Sequence, residues 1–162
     1  MKRMTLCTAL VISFAVLASL APAAHAASCS TATVAGSWGF TLTGTAVLPV
    51  VGPTLAAAVG RVSADVHGNL SGTEARSVGG GYADETLTGT WTVNSDCTGT
   101  LNANIYENGQ LVRISVTTIT FDDNSREFRM VQKSLTLPDG TAVPVIITLE
   151  GRKQHDRTAD QP

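Results

Sequence analysis

The chain has few of the side chains that carry common chemistry, and its positive charge is not clustered. Its 162 residues include 11 Lys and Arg, 13 Asp and Glu, and 3 His. A nucleic-acid-binding protein needs a basic face that matches the phosphate backbone, whereas the basic residues here are spread over many short segments. We therefore expect no nucleic-acid partner.

Histidine is too scarce to build the usual catalytic and metal sites. His67 stands beside Gly68 in a turn sequence, and His155 lies near the C-terminus. A zinc site needs three or four converging ligands, and a nucleophilic triad needs a base held beside Ser or Cys. Neither set can be assembled, so we predict no metal site, no cofactor and no catalytic residue, and we favour a protein that is not an enzyme.

The N-terminus has the pattern of a secretory signal peptide. Lys2 and Arg3 precede an uncharged apolar run, which ends at Pro22 before the small-x-small motif Ala24-His25-Ala26. The run is shorter than the roughly 20 residues of a membrane-spanning helix. We therefore expect no integral membrane segment after cleavage, and a balance of about −4 charges once both N-terminal cations are removed. The predicted organisation is a signal peptide at 1–26, one domain at 27–151 and a polar tail at 152–162.

Two cysteines remain after the signal peptide, Cys29 and Cys97. In a secreted or periplasmic protein the simplest interpretation is a disulfide between them. The alternative is a lipid anchor on Cys29, because the segment from Ala26 to Cys29 loosely resembles a lipoprotein signal. That alternative leaves Cys97 unpaired and places the protein on a membrane.

The central segment of the chain reads as a strand, a turn and the start of another strand. From Thr86 to Val93, Leu87 and Trp91 fall on one face and threonines fall on the other, which is the period-two pattern of a half-buried strand. Similar alternation recurs along the chain without any helical period. Short turn sequences separate the strands, at His67-Gly68-Asn69, Gly79-Gly80-Gly81, Asn108-Gly109 and Pro138-Asp139-Gly140.

Eight strands joined by short turns predict an antiparallel meander. An open meander of this length leaves two exposed edges, and closure into an up-and-down barrel removes them. We therefore predict an all-β, eight-stranded antiparallel barrel, with a β-sandwich as the second choice. Eight strands enclose an interior that is either filled by side chains or holds one small ligand, and the sequence leaves both alternatives open.

One uncharged segment, Ala46 to Ala58, contains Pro49 and Pro53. Proline argues against a central strand, so we expect a loop here. The loop either folds against the core of the domain or forms an apolar lip over a cavity or partner surface.

Three motifs resemble a family of secreted bacterial β-barrel proteins, most of them without an assigned activity. The motifs are Gly36-Ser37-Trp38-Gly39-Phe40, Gly68 to Thr73, and Gly89 to Thr100 with its Asp-Cys-Thr-Gly-Thr segment. Such proteins look like small calycin or allene-oxide-cyclase-type barrels. The resemblance implies the fold and says little about activity.

The candidate cavity residues are Trp38, Phe40, Glu74, Trp91 and Tyr106, with Tyr106 or Glu74 as the polar group that orients a ligand. Glu74 shares a strand face with Leu70. It is either exposed or turned inward, and an inward carboxylate needs a cationic partner, for which the candidates are Arg61, Arg76 and Arg129.

Three functions are consistent with these features. The first is a secreted, non-enzymatic barrel that binds a small apolar ligand or a surface partner. The second is a cyclase- or isomerase-like enzyme that uses the barrel cavity and an inward Glu74. The third is a structural role in the cell envelope or in adhesion. The sequence leaves the oligomeric state open.

Overall fold

The computed structural model describes residues 28–122 and 124–154. The predicted signal peptide and the end of the predicted tail lie outside this part of the chain. Within these described ranges, no helix is long and apolar enough to cross a membrane.

Eight antiparallel strands form a closed up-and-down barrel, in which each strand pairs with the next and the last pairs with the first. The predicted fold class is therefore confirmed, and closure pairs the two terminal strands of the meander, although β7 pairs with β8 only over Glu127–Val131. A four-residue helix, α1, precedes the barrel. The elements are α1 (Thr31–Val34), β1 (Gly36–Leu48), β2 (Gly52–Ala64), β3 (Asn69–Val78), β4 (Gly81–Val93), β5 (Thr98–Glu107), β6 (Gln110–Asp122), β7 (Glu127–Thr136) and β8 (Val145–Lys153).

On β4, the alternation of apolar and threonine side chains matches the alternation of side chains inside and outside the barrel. Leu87 and Trp91 are buried inside it, whereas the threonines between and beside them are exposed on its outer surface. Burial of one face drives this register, because a shift by one residue would turn every inner side chain outward.

One end of the barrel, which we call the closed end, is filled by aromatic side chains. The Trp38 ring lies 6.0 Å from the Trp91 ring, 5.7 Å from the Phe121 ring and 5.3 Å from the Phe128 ring, centroid to centroid. Helix α1 covers this end, and Trp38 Nε1 donates a hydrogen bond of 3.0 Å to the carbonyl of Val34. These aromatic side chains belong to a hydrophobic core cluster that continues from the closed end along the barrel interior.

A disulfide joins Cys29 to Cys97 at the closed end, with 4.9 Å between their α-carbons. It ties the segment before α1 to the turn between β4 and β5. The predicted pairing is confirmed, and a sulfur in a disulfide cannot also carry the thioether of a lipid anchor.

The expectation of a loop between Ala46 and Ala58 is wrong, because the segment is a hairpin formed by the end of β1 and the start of β2. Val47 pairs with Pro53, and the N–H of Val47 points away from it to the carbonyl of Pro144 at 2.8 Å. Pro53 therefore stands at a position where the ladder with β1 requires no N–H donor. On its other side the pairing with β3 starts only at Ala56, so the missing proline N–H breaks no ladder bond.

β8 continues through Arg152 and Lys153, two residues that the sequence assigned to the polar tail. Arg152 pairs with Glu127 at 2.7 Å on the outer surface. Lys153 Nζ donates to the carbonyl of Thr33 at 3.1 Å and lies 5.7 Å from the centroid of the Trp38 ring. These contacts hold the strand in place beyond the predicted domain boundary.

Candidate ligand-binding site

The half of the barrel away from the aromatic cluster, which we call the open end, contains a cavity of about 280 Å³. Small side chains create this space. Ala46, Ala56 and Ala58 on β1 and β2, and Ala103 on β5, occupy inward positions at which larger side chains would fill the interior. The cavity wall is mainly apolar, and its size is at the lower end of the range for small-molecule sites.

One side of this cavity carries ionisable groups. Glu74 on β3 and Glu85 on β4 are paired across the two strands, and both are buried inside the barrel. Arg113 on β6 reaches them from the far side. Its Nη2 lies 2.8 Å from Glu74 Oε1, its Nη1 lies 2.6 Å from Glu85 Oε1, and Nη2 also contacts Glu85 Oε2. One guanidinium therefore bridges two buried carboxylates.

A second arginine extends this arrangement towards the mouth of the barrel. Arg76 Nε donates to Glu85 Oε1 at 2.9 Å, and Arg76 Nη2 lies 3.7 Å from Glu107 Oε2. We call Glu74, Arg76, Glu85, Glu107 and Arg113 the Glu–Arg cluster. Buried charges are tolerated only when they are paired and hydrogen-bonded, and this cluster pairs every one of its members.

The two buried carboxyl groups differ in their ionisation. Burial raises the pKa of Glu74, the charge of Arg113 opposes that rise and neighbouring Glu85 adds to it, and together they bring the pKa to about 7. Burial also disfavours ionised Glu85, but the hydrogen bonds from Arg113 outweigh it and hold the pKa of Glu85 below its usual value. The same bonds raise the pKa of Arg113 despite its burial. Glu85 is therefore ionised at neutral pH, whereas Glu74 is close to its midpoint.

A β-bulge on β6 brings two consecutive residues to the cavity wall. Ile105 pairs with Arg113, but the next residue, Tyr106, pairs with Leu111, so Val112 is an extra residue on β6. Val112 and Arg113 both line the cavity as a result, although strict alternation would put them on opposite faces. Beyond the bulge, the inward positions of β6 are polar beside the cavity, at Ser115 and Thr117, and apolar towards the closed end, at Ile119 and Phe121.

The polar strip continues from Arg113 along β6 to β7. Ser115 and Thr117 line the cavity, and Gln132 Nε2 on β7 donates to Ser115 Oγ at 2.9 Å. The polar side chains of the cavity wall thus come from β3, β4, β6 and β7, whereas β1, β2, β5 and β8 line it with apolar side chains. This geometry suits a mainly apolar molecule that carries one polar group.

Three of the five residues proposed from the sequence line this cavity, namely Phe40, Glu74 and Trp91. Trp38 does not, because it is fully buried in the aromatic cluster of the closed end. Tyr106 does not either, because it pairs with outward-facing Thr86 and is half-exposed.

Sequence reasoning missed Arg113, Glu85 and the role of Arg76 in the cluster. Glu85 could have been found, because it stands two residues before Leu87 and therefore shares its inward face. Arg113 shares its face with Ile119 and Phe121 further along β6, but the apolar residues Val112, Ile114 and Val116 alternate with it and favour the opposite face. The expected partners of Glu74 were Arg61, Arg76 and Arg129, and the partner observed is Arg113.

Comparison of the chain with protein-family models and with curated proteins gave no match. Among solved structures, EF1p2_mFAP2b bound to DFHBI superposes with a TM-score of 0.54 and 14% identity over 76% of this chain and 98% of that chain. A redesigned β-barrel, mFAP1, also bound to DFHBI, gives a TM-score of 0.49 and 19% identity over 76% of this chain and 97% of that one. The first likeness supports the barrel fold alone.

Proposed function

We propose that the protein is a binding protein that holds a small, mainly apolar ligand inside the barrel. The observation that carries this proposal is the cavity of about 280 Å³, with its apolar wall and one charged cluster. An apolar pocket with a few convergent polar groups is the usual form of a small-molecule site. A barrel of similar fold, EF1p2_mFAP2b, is known bound to DFHBI, so the fold is compatible with this role.

We also propose that the protein acts outside the cytoplasm, as a secreted or periplasmic barrel of the calycin-like kind. The Cys29–Cys97 disulfide supports this location, because disulfides persist in oxidising compartments. The pattern of the N-terminal segment and the resemblance to secreted bacterial barrels point the same way.

Isothermal titration calorimetry with 1-octanol tests the binding proposal. Ala58 faces the cavity, and its neighbour Val59 is 58% exposed on the outer surface. Ala58→Leu adds carbon atoms inside the cavity, and Val59→Leu is the matched change outside it. We expect wild type and Val59→Leu to bind alike, and Ala58→Leu to bind at least tenfold more weakly. Equal binding by all three proteins would refute the cavity as the site.

A second function, a cyclase- or isomerase-like enzyme, is favoured by one observation. Burial gives Glu74 a pKa of about 7, and a carboxyl group that titrates near neutral pH can accept or donate a proton during a reaction. A screen of apolar epoxides and enones with wild type and Glu74→Gln tests it. Loss of turnover in the variant would support an enzyme, whereas turnover unchanged by the substitution would exclude Glu74 chemistry.

A further inference from the structure

We infer that the ligand carries a protonated amine, whose ammonium group binds the Glu74 carboxylate while its apolar part fills the cavity. This inference rests on the proposed function and adds the chemical class of the ligand. It follows from three features of the site, which are the charge balance of the Glu–Arg cluster, an unused acceptor on Glu74 and the surroundings of that carboxylate.

The cluster holds one more acidic group than basic groups. It contains three carboxyl groups, on Glu74, Glu85 and Glu107, and two guanidinium groups, on Arg76 and Arg113. With all five groups ionised it carries one uncompensated negative charge beside an apolar cavity. A ligand cation neutralises that charge, an alcohol leaves it unchanged, and an anion doubles it.

Glu74 is the carboxylate with room for a ligand. Both oxygens of Glu85 already accept hydrogen bonds from Arg113, and Oε1 accepts a further one from Arg76. Glu74 accepts from Arg113 through Oε1, and protonated Glu74 also shares a hydrogen bond with Glu85. Ionised Glu74 loses that shared bond, and within the described part of the chain its Oε2 then has no hydrogen-bond donor. The side chain is only 5% exposed and belongs to the cavity wall. A ligand ammonium has three donors, one of which can reach this free oxygen.

An anionic ligand could reach the terminal nitrogens of Arg76, which lines the cavity, but it would then double the excess negative charge of the cluster. Beside Glu74 the guanidinium is that of Arg113, which is already paired. Arg113 donates to both Glu74 and Glu85, so a ligand carboxylate would have to displace one of these buried carboxylates. The displaced group would remain in the apolar interior without its partner, which is strongly unfavourable.

The surroundings of Glu74 also favour a cation. On β2 it pairs with Gly60, and the Phe40 ring packs over that glycine so closely that a β-carbon there would lie 2.6 Å from Phe40 Cζ. An aromatic ring in the wall of the same cavity is compatible with a bound cation. Glu85 faces Glu74 from β4, Arg113 faces it from β6, and Arg76 follows on its own strand. The turns at the open end, 49–51, 79–80, 108–109 and 137–144, carry one charged residue, Asp139, which is acidic.

A pH dependence follows from this contact. Burial raises the pKa of Glu74 to about 7, so the carboxylate loses its charge as the pH falls through neutrality. An alkylamine stays protonated up to about pH 10, like a lysine side chain. Amine binding should therefore weaken below pH 7, whereas binding of an uncharged alcohol should change little.

Calorimetric titration with n-octylamine, 1-octanol and sodium octanoate at pH 8 tests the inference, because the three probes share a chain of the same length and differ in the polar group. We expect n-octylamine to bind at least tenfold more tightly than the alcohol, and the carboxylate to bind most weakly. Glu74→Gln should reduce amine affinity at least tenfold and leave alcohol affinity unchanged. Glu150→Gln, a substitution on the outer surface of β8, is the control.

The outcomes separate this inference from the proposed function. Equal affinity for the amine and the alcohol, or tightest binding of octanoate, would overturn the amine and leave a binding cavity. No binding of any probe would contradict the cavity proposal itself. Repeating the wild-type titrations at pH 5.5 needs no variant, and an amine affinity that does not fall there relative to the alcohol would also overturn the inference.

Discussion

The two ends of this barrel use the same eight strands for opposite purposes. At the closed end, Trp38, Trp91, Phe121 and Phe128 fill the interior, and helix α1 and a disulfide cover it. At the open end, alanines leave a cavity, and charged groups stand where a core would place apolar ones. The difference suits the proposed function, in which the closed end supplies most of the packed core and the open end holds the ligand.

The largest expected effect is on the free energy of unfolding, when a core residue of the closed end is truncated. A truncation in the cavity wall serves as the comparison. Trp38→Ala removes a fully buried indole from a packed cluster, and we expect a loss of about 5 kcal/mol in the free energy of unfolding. Leu42→Ala enlarges a cavity that already exists and should cost about 1.5 kcal/mol. Urea unfolding measures both, and equal losses would contradict the division between the ends.

Removal of the disulfide should cause the next largest loss in the free energy of unfolding. Cys29 and Cys97 are separated by 68 positions, and closing a loop of this length stabilises the folded state by about 4 kcal/mol on the chain-entropy model. The double substitution Cys29→Ala with Cys97→Ala should lower the free energy of unfolding by that amount. Binding of 1-octanol at the distant open end should stay within twofold of wild type at a temperature where the variant is folded. A large loss of binding would show that the two ends are coupled.

The Glu–Arg cluster can be compared with an ion pair on the outer surface. Arg113→Met leaves Glu74 and Glu85 buried without their shared partner, and we expect a loss of about 3 to 4 kcal/mol. Arg129 is mainly exposed and pairs with Asp122 at 3.0 Å, so Arg129→Met should cost about 0.5 kcal/mol. Thermal and urea unfolding of both variants give the comparison. A cost for Arg113→Met as small as the surface value would mean that water screens the cluster.

The smallest expected effect is the dependence of the free energy of unfolding on pH. The pKa of Glu74 is about 7 in the folded protein, above its ordinary 4.5, so the folded state keeps a proton that the unfolded state releases between these values. Stability should therefore fall as the pH rises through this window, by about 3 kcal/mol in total. Glu74→Gln should remove the slope and Glu150→Gln should keep it, as measured by urea unfolding at pH 4.5, 5.5, 6.5 and 7.5. Equal slopes in the two variants would assign the effect to another group.

Much of the fold could be predicted because local patterns and global structure agree in most strands. The alternation of Leu87 and Trp91 with threonines, and turns such as Asn108-Gly109, determine strand positions without knowledge of their neighbours. Pro53 misled the prediction because its effect depends on pairing. It occupies a position where neither β1 nor β3 needs its N–H, and that cannot be read from the proline itself.

The site was predicted only where a residue's face follows from its own strand. Glu74 shares a face with Leu70, and Phe40 belongs to a regularly alternating strand, so both were found. Arg113 was missed because the apolar side chains of Val112, Ile114 and Val116 alternate with it and favour the opposite face. The inner face of β6 is instead the one that Arg113 shares with Ile119 and Phe121. Trp38 was placed on the right face but at the wrong depth, because distance along the barrel axis depends on the register of all eight strands.

The most direct test of a binding cavity at the open end is an NMR titration of the ¹⁵N-labelled, oxidised protein with 1-octanol. We predict saturable shifts of the amide signals of Ala46, Ala58, Ala103 and Ile147, whose side chains line the cavity, and little change around the Cys29–Cys97 disulfide. Ala58→Leu should abolish these shifts. Shifts confined to the outer surface, or none at all in a folded protein, would contradict the account.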